Sequence, residues 1–197
     1  MDRTPTIMFG LDGADFNMIE PWLNSGRLPT LKKLIERGGR SKLKSCVPAT
    51  TPPAWTSLTT GMNPGKHGIF GFYTRNKSTY EIESVSDGDV CARRLWDYTS
   101  NAGLTSLVVN IPVTHPGREF DGALVPGYLA KDQPETHPAN LLDEVGMPEY
   151  SVYAESESDD IPEEQLLSEW LRLTESRRDL TLELMNRYDW DLLFLEF

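Results

Sequence analysis

Short, nearly continuous apolar runs recur along this chain, separated by longer segments whose apolar positions return at helical spacing. Residues 7–11, 106–111, 123–126, 150–153 and 191–197 read as strands. The run at 7–11 has the character of a strand buried in a parallel sheet, where both faces are covered. Between them, 28–38 carries apolar residues at helical spacing and meets its stop in Gly38 and Gly39. Residues 92–103 form a second helical pattern that ends in glycine and leads directly into the strand near 106. The longest helical pattern spans 162–188, with Leu166, Leu167, Trp170, Leu171, Leu184 and Met185 recurring on one face. Packing on a sheet is the expected use of that face, and partner binding is its alternative. Pro162, Glu163 and Glu164 suit the first turn of this helix, and the acidic stretch 155–160 reads as a solvated loop before it. Strands alternating with helices predict an α/β fold with a mostly parallel sheet flanked by helices.

Composition narrows the picture. A chain of 197 residues fits one domain or part of a larger one, and it shows neither an internal repeat nor a linker. Thirty acidic against 19 basic residues give a net charge of −11, which argues against a nucleic-acid scaffold. A small anionic substrate would need local cations on such a surface, and bound metal supplies them. The acid excess also resembles the composition of proteins from salt-loving cells. Cys46 and Cys91 are too few and too far apart for a disulfide framework or a metal site, and they read as free thiols of a reducing cytoplasm. No apolar run approaches the roughly 20 residues that span a bilayer, and the N-terminus has no targeting pattern. The expectation is a soluble cytoplasmic protein with no membrane partner.

Candidate chemistry gathers in two places. In the segment 48–69, Thr51 stands directly before Pro52 and Pro53 and a helix-compatible stretch. Proline favours the first helical turn and threonine the N-cap, which would set the Thr51 hydroxyl beside unsatisfied backbone N–H groups. The positive end of a helix attracts an anion and would help the hydroxyl lose its proton beside a metal. Thr50 is the adjacent rival. The second place is the end of the first strand, where Asp12 and Gly13 follow the run 7–11. Ligands of open α/β sheets collect at the carboxyl ends of strands, so Asp12 is placed for a cation and Gly13 permits close approach.

With Asp12, Thr51 and the segment 67–69 in view, the chain resembles the type I phosphodiesterase and nucleotide pyrophosphatase family of the alkaline phosphatase superfamily. The likeness is densest over the first 70 or so residues and continues at 109–117 and 120–127. The resemblance implies a binuclear metal site, usually zinc, with Asp12 and Thr51 on the same metal. It implies attack of the Thr51 alkoxide on phosphorus, a phosphothreonine intermediate, and its cleavage by metal-activated water. Backbone N–H groups near Thr51 would hold the equatorial oxygens.

Two departures qualify the likeness. Where nucleotide-cleaving members place an asparagine on a phosphate oxygen, this chain has Phe72, with Arg75 and Asn76 nearby as substitute donors. Phe72 and Tyr73 either line a substrate pocket or pack against the helix after Thr51. The chain also ends on a strand after which the family's remaining metal ligands would follow, so the ligand set is incomplete and residues 1–197 read as the N-terminal part of one alkaline-phosphatase-like domain. His67, His115 and His137 do not stand in those ligand contexts. His67 reads as a structural turn residue, and His115 and His137 as solvated histidines of proline turns. Asp15 reads as an N-cap and Lys66 as a solvated charge.

The expected function is a metal-dependent phosphodiesterase or nucleotide pyrophosphatase-like hydrolase acting on a small phosphorylated substrate, inactive as this short chain. Alternatives are a phosphomonoesterase, a sulfatase, a phosphonate hydrolase or a phosphoryl-group transferase of the same superfamily, and a non-catalytic binding or assembly module. A chain ending on its last strand is further expected to leave that strand at an open edge, which favours association with another copy.

Overall fold

The computed structural model describes residues 4–130, 134–154 and 162–197. The acidic stretch 155–160 lies outside the described residues. In chain order the elements are β1 (Thr6–Gly10), α1 (Phe16–Asn24), α2 (Pro29–Arg37), α3 (Thr51–Thr60), α4 (Pro64–His67), β2 (Tyr73–Arg75) and β3 (Ile82–Ser84). They continue with α5 (Leu95–Asn101), β4 (Ser106–Val109), β5 (Gly122–Val125), α6 (Leu141–Glu144), α7 (Glu163–Arg187) and β6 (Leu192–Glu196). The chain forms two compact units, 11–45 and the remainder.

In the larger unit, four parallel strands lie in the order β1-β6-β4-β5. Thr6 and Ser106 both pair with Leu192, which sets a common register across three strands. Residues of alternate parity face opposite layers, as the two-residue period of a strand demands. Leu107, Val109, Ala123, Val125, Leu193 and Leu195 face a core completed by Leu180 and Leu184 of α7, with Leu141, Tyr150 and Val152. Val108, Leu124 and Phe194 face the other layer, filled by Trp55 of α3 and Trp96 of α5. Burial on both faces is why β4 and β6 read as continuous apolar runs. Strands β2 and β3 form a separate antiparallel hairpin, in which Tyr73 pairs with Ser84 and Arg75 with Ile82.

In the unit 11–45, Asp15 caps α1, its Oδ1 accepting from the amides of Asn17 at 2.7 Å and Met18 at 3.2 Å. The N-cap expectation for Asp15 therefore holds, and α2 stops at Gly38 as its sequence implies. Arg40 lies over the Phe16 ring and pairs with Glu20 at 3.1 Å.

The structure departs from the sequence reading in three elements. Residues 150–153 form no strand, although Tyr150 and Val152 are buried. Ser151 Oγ accepts from the Tyr153 amide at 3.2 Å and donates to the Tyr153 carbonyl at 2.9 Å, so a side chain takes backbone groups that a ladder would use. The final strand is not an edge: β6 lies between β1 and β4, and the outer strands are β1 and β5. The open side belongs to β1, and the run 7–11 is not covered on both faces as its sequence suggests, because β1 is an outer strand on which Ile7 and Phe9 are exposed.

The third departure concerns α7. Its buried residues are Leu173, Leu180, Thr181 and Leu184, whereas Leu167, Trp170 and Leu171 stay more than half exposed. A helix of 25 residues runs about 37 Å, and a strand of five residues about 17 Å, so α7 outreaches the sheet it covers. Only its C-terminal half meets the core. Leu184→Ala is accordingly expected to cost about 2–5 kcal/mol in urea unfolding, and Leu182→Ala, on the exposed side, to stay within about 0.5 kcal/mol. Equal losses at the two positions would contradict this packing.

Candidate active site

Thr51 is the first residue of α3, and Thr50, in extended conformation, is its N-cap. The N-cap expectation for Thr51 is thus displaced by one residue. Pro52 and Pro53 fit the opening turn with their fixed φ, and Thr51 joins that turn although a residue before proline is ordinarily turned away from the helical region. The same prolines thin the anion-binding end of the helix. Pro52 and Pro53 carry no N–H, and the Ala54 amide donates to the Thr50 carbonyl at 3.0 Å. This end of the helix therefore offers an oxyanion fewer amides than a helix N-terminus ordinarily does.

Helix α3 is held rigidly below Thr51. One turn on, the Trp55 indole sits between the sheet and the helix, its ring 6.4 Å from that of Phe194. Gly10, at the carboxyl end of β1, lies directly against this indole: a β-carbon there would stand 2.2 Å from Trp55 Cη2. Only glycine lets strand and helix approach this closely. The strand end that Asp12 follows is therefore packed on the helix that Thr51 opens. Asp12 belongs to the unit 11–45, and its Oδ1 accepts from the Gly13 amide at 3.0 Å.

Polar anchors secure the far end of α3. His67 is fully buried at the end of α4. Its Nδ1 accepts from the Ile69 amide at 3.1 Å, which assigns the proton to Nε2, 2.9 Å from Ser57 Oγ on α3. Burial first, then the positive charge of Arg94, holds the imidazole below its ordinary pKa. His67 is a neutral structural strut, as its sequence context suggests.

A buried charge cluster completes the seat. Arg94 Nε donates to Asp87 Oδ1 at 2.9 Å, Nη1 donates to Thr59 Oγ1 at 2.8 Å, and Nη2 donates to the carbonyl of Val113. Arg118 Nε donates to the other Asp87 oxygen. Burial lowers the Arg94 pKa and Asp87 opposes that shift, while the hydrogen bond to Asp87 raises Arg118. Val113 itself adopts φ +61°, unusual for a β-branched residue, and in that conformation its carbonyl meets Arg94. Sequence reasoning missed Arg94 and Asp87, because an arginine beside a charged loop ordinarily reads as surface. At the carboxyl ends of β4 and β6, Asn110 Nδ2 donates to the Glu196 carboxylate at 2.5 Å and to its carbonyl at 3.1 Å. Both residues are nearly inaccessible to solvent, and they too were missed.

The remaining candidates scatter. Phe72 packs edge-on against Tyr128, with ring centroids 6.1 Å apart. Tyr73 and Arg75 are exposed on β2. Asn76 closes the hairpin turn: its Oδ1 accepts from Ser78 and Thr79 amides, and its Nδ2 donates to Glu83 at 2.9 Å. Lys66 is exposed. His115 is buried rather than solvated, and His137 Nε2 lies 3.0 Å from the Phe120 carbonyl. Proline turns in this protein lie against the core, which a sequence pattern does not disclose.

Among the described residues no group of three or more His, Cys, Asp or Glu side chains is gathered to hold a metal ion. Asp12 and Thr51 alone fall short of the three or four protein ligands of a zinc site. No helix among the described residues is long and apolar enough to cross a membrane.

The parallel sheet, with a packed layer on each face, is an α/β fold. Residues 6–197 match the type I phosphodiesterase / nucleotide pyrophosphatase family, and the chain belongs to it. Structures of phosphonoacetate hydrolase from Sinorhizobium meliloti 1021, in complex with phosphonoacetate and with phosphonoformate, share the fold. Each superposes with a TM-score of 0.70 over 98% of this chain, at 22% and 23% identity. The chain spans 46% of the length of either.

Two outcomes follow from this geometry. Gly10→Ala is expected to destabilise by about 1–3 kcal/mol in urea unfolding, since the indole must move. Gly71→Ala, where an added β-carbon meets nothing within 4 Å, serves as the neutral control. For His67, the neutral ring is favoured by folding, so the unfolded chain binds more protons below about pH 6.5. Its contribution to stability is complete above that pH and is lost as pH falls toward the depressed folded-state pKa. Urea midpoints of the native chain and His67→Gln should differ constantly above about pH 7 and converge below about 6.5; a gap that widens on acidification would reverse the assignment.

Proposed function

We propose that this chain belongs to a metal-dependent phosphoric ester hydrolase of the phosphodiesterase and nucleotide pyrophosphatase type, with Thr51 as nucleophile and Asp12 as a metal ligand. The observation that carries the reading is the family match across residues 6–197. It is supported by the position of Thr51 at the opening of a helix anchored through Trp55, Ser57 and Thr59. In this reading the Thr51 oxygen attacks phosphorus in line with the leaving group, and the phosphothreonine is then hydrolysed. A divalent metal, zinc by family resemblance, supplies charge for the nucleophile and the phosphoryl oxygens. Residues 1–197 act as the N-terminal part of one alkaline-phosphatase-like domain, in a cytoplasmic setting to which the free thiols Cys46 and Cys91 are suited.

The substrate is a small phosphorylated molecule. The phosphonate ligands of the structural neighbours favour a compact one. Arg75, exposed on β2, is the better candidate for a substrate-binding cation, because the amide of Asn76 is spent on its turn. Phe72 contributes an apolar wall together with Tyr128. A second reading, a binding or assembly module without turnover, is favoured by the lack of a three-ligand group among the described residues.

With only two ligands assigned, these residues alone are expected to bind zinc weakly and to turn over slowly. Hydrolysis of bis(p-nitrophenyl) phosphate in excess zinc should fall at least about 100-fold in Thr51→Ala, the usual cost of removing a group that acts in the transition state. Thr50→Ala should retain the native rate. A Thr51→Ala chain as active as the native one would remove Thr51 from the mechanism, and tight stoichiometric zinc would overturn the incomplete-site reading.

A further inference from the structure

The exposed half of α7 carries a pattern that neither the sheet nor the proposed chemistry uses. Leu167, Trp170, Leu171 and Thr174 recur at spacings of three and four and are exposed, forming one stripe down the helix. The stripe is bounded by Glu163 and Glu164 at its N-terminal end and by Arg177 and Arg178 at its C-terminal end. Beside it lies a groove of about 310 Å³ lined by Tyr128, Tyr153, Trp170, Thr174 and Arg177. Single exposed apolar residues are ordinary; an exposed tryptophan and two leucines on one helix face next to a concavity mark an interaction surface.

The charge pattern selects the partner. Turned end for end about a point between Trp170 and Leu171, the helix becomes complementary to itself. Trp170 then lies opposite Leu171, Leu167 opposite Thr174, and Glu163 opposite Arg178, while the half-buried Arg177 is held by the Val152 carbonyl at 3.0 Å. A parallel pairing would instead set acid against acid and base against base. The Arg178 contact with Asp179, at 2.8 Å, is between exposed groups and exchanges readily for another carboxylate.

We propose that the N-terminal half of α7 is the docking surface for a second copy of this chain, paired antiparallel about a two-fold axis. A pair of four-turn helices lies at the small end of specific interfaces, so the dimer is weak and reversible. The pairing is independent of the catalytic reading, since no residue assigned to that chemistry lies on α7.

Sedimentation of the 197-residue chain over micromolar to millimolar concentrations tests it. The mass should rise toward twice that of the monomer. Glu163→Arg and Arg178→Glu, each placing like charges opposite one another, should each weaken association at least about tenfold, and the two substitutions combined should restore it. Leu171→Glu should abolish it. All of these positions are exposed, and circular dichroism should show the native helix content throughout. A chain monomeric at every concentration would overturn the proposal and leave the stripe to other parts of a longer protein. A dimer indifferent to these substitutions would also overturn it, directing attention to the open side of β1.

Discussion

Everything in the larger unit depends on β6 entering between β1 and β4. β1 hydrogen-bonds to no other strand of the described sheet, and β4 reaches β1 only through β6. The pairing of Thr6 with Leu192 joins segments far apart in sequence, so β1 joins the described sheet only when β6 is in place. Such a distant contact carries a large loop-closure cost, which must be met before the burial of Leu193, Phe194 and Leu195 repays it. Phe194 is also the surface on which Trp55 rests. The helix that opens with Thr51 thus takes part of its seat from a residue near the other end of the sequence, Phe194.

That seat is built from three kinds of force, each limiting a different motion. The indole of Trp55 against Gly10 sets the distance between helix and strand by steric exclusion. The neutral His67 joins α3 to the turn that follows it through Ser57. Arg94 ties Thr59 to Asp87 and Val113, and its buried charge is tolerable because it is paired with Asp87 and each of its nitrogens donates to an acceptor. Such an arrangement suits a group that must hold one orientation, since small displacements of a reacting atom are costly in rate.

The two exposed apolar features differ in character. On β1 the exposed Ile7 and Phe9 belong to a strand whose outer side has no neighbour among the described strands. On α7 the exposed side chains arise because a long helix covers a short sheet, and they are flanked by Glu163 on one side and Arg178 on the other. An apolar stripe alone names no partner, whereas ordered charge specifies both direction and register.

Local chemistry made much of the fold legible. The strands near 7, 106, 123 and 192, the cap at Asp15, the proline-opened helix after Thr50 and the family likeness all rest on neighbouring residues, whose propensities and spacing a sequence displays directly. Hydrophobic periodicity nevertheless cannot say which apolar face will find a partner. Tertiary structure therefore decided that Leu180 and Leu184 are core while Leu167 and Leu171 are surface, and that β6 is central. It also decided that Tyr150 is buried without pairing and that Arg94, Asp87 and His67 form one buried support. The sequence by itself determined the four strands of the parallel sheet and most of the longer helices, and it put forward a hydroxyl and a carboxylate for the candidate site. The strand order, the buried polar contacts and the exposed stripe came only with the folded chain, because they depend on distances between residues far apart in sequence.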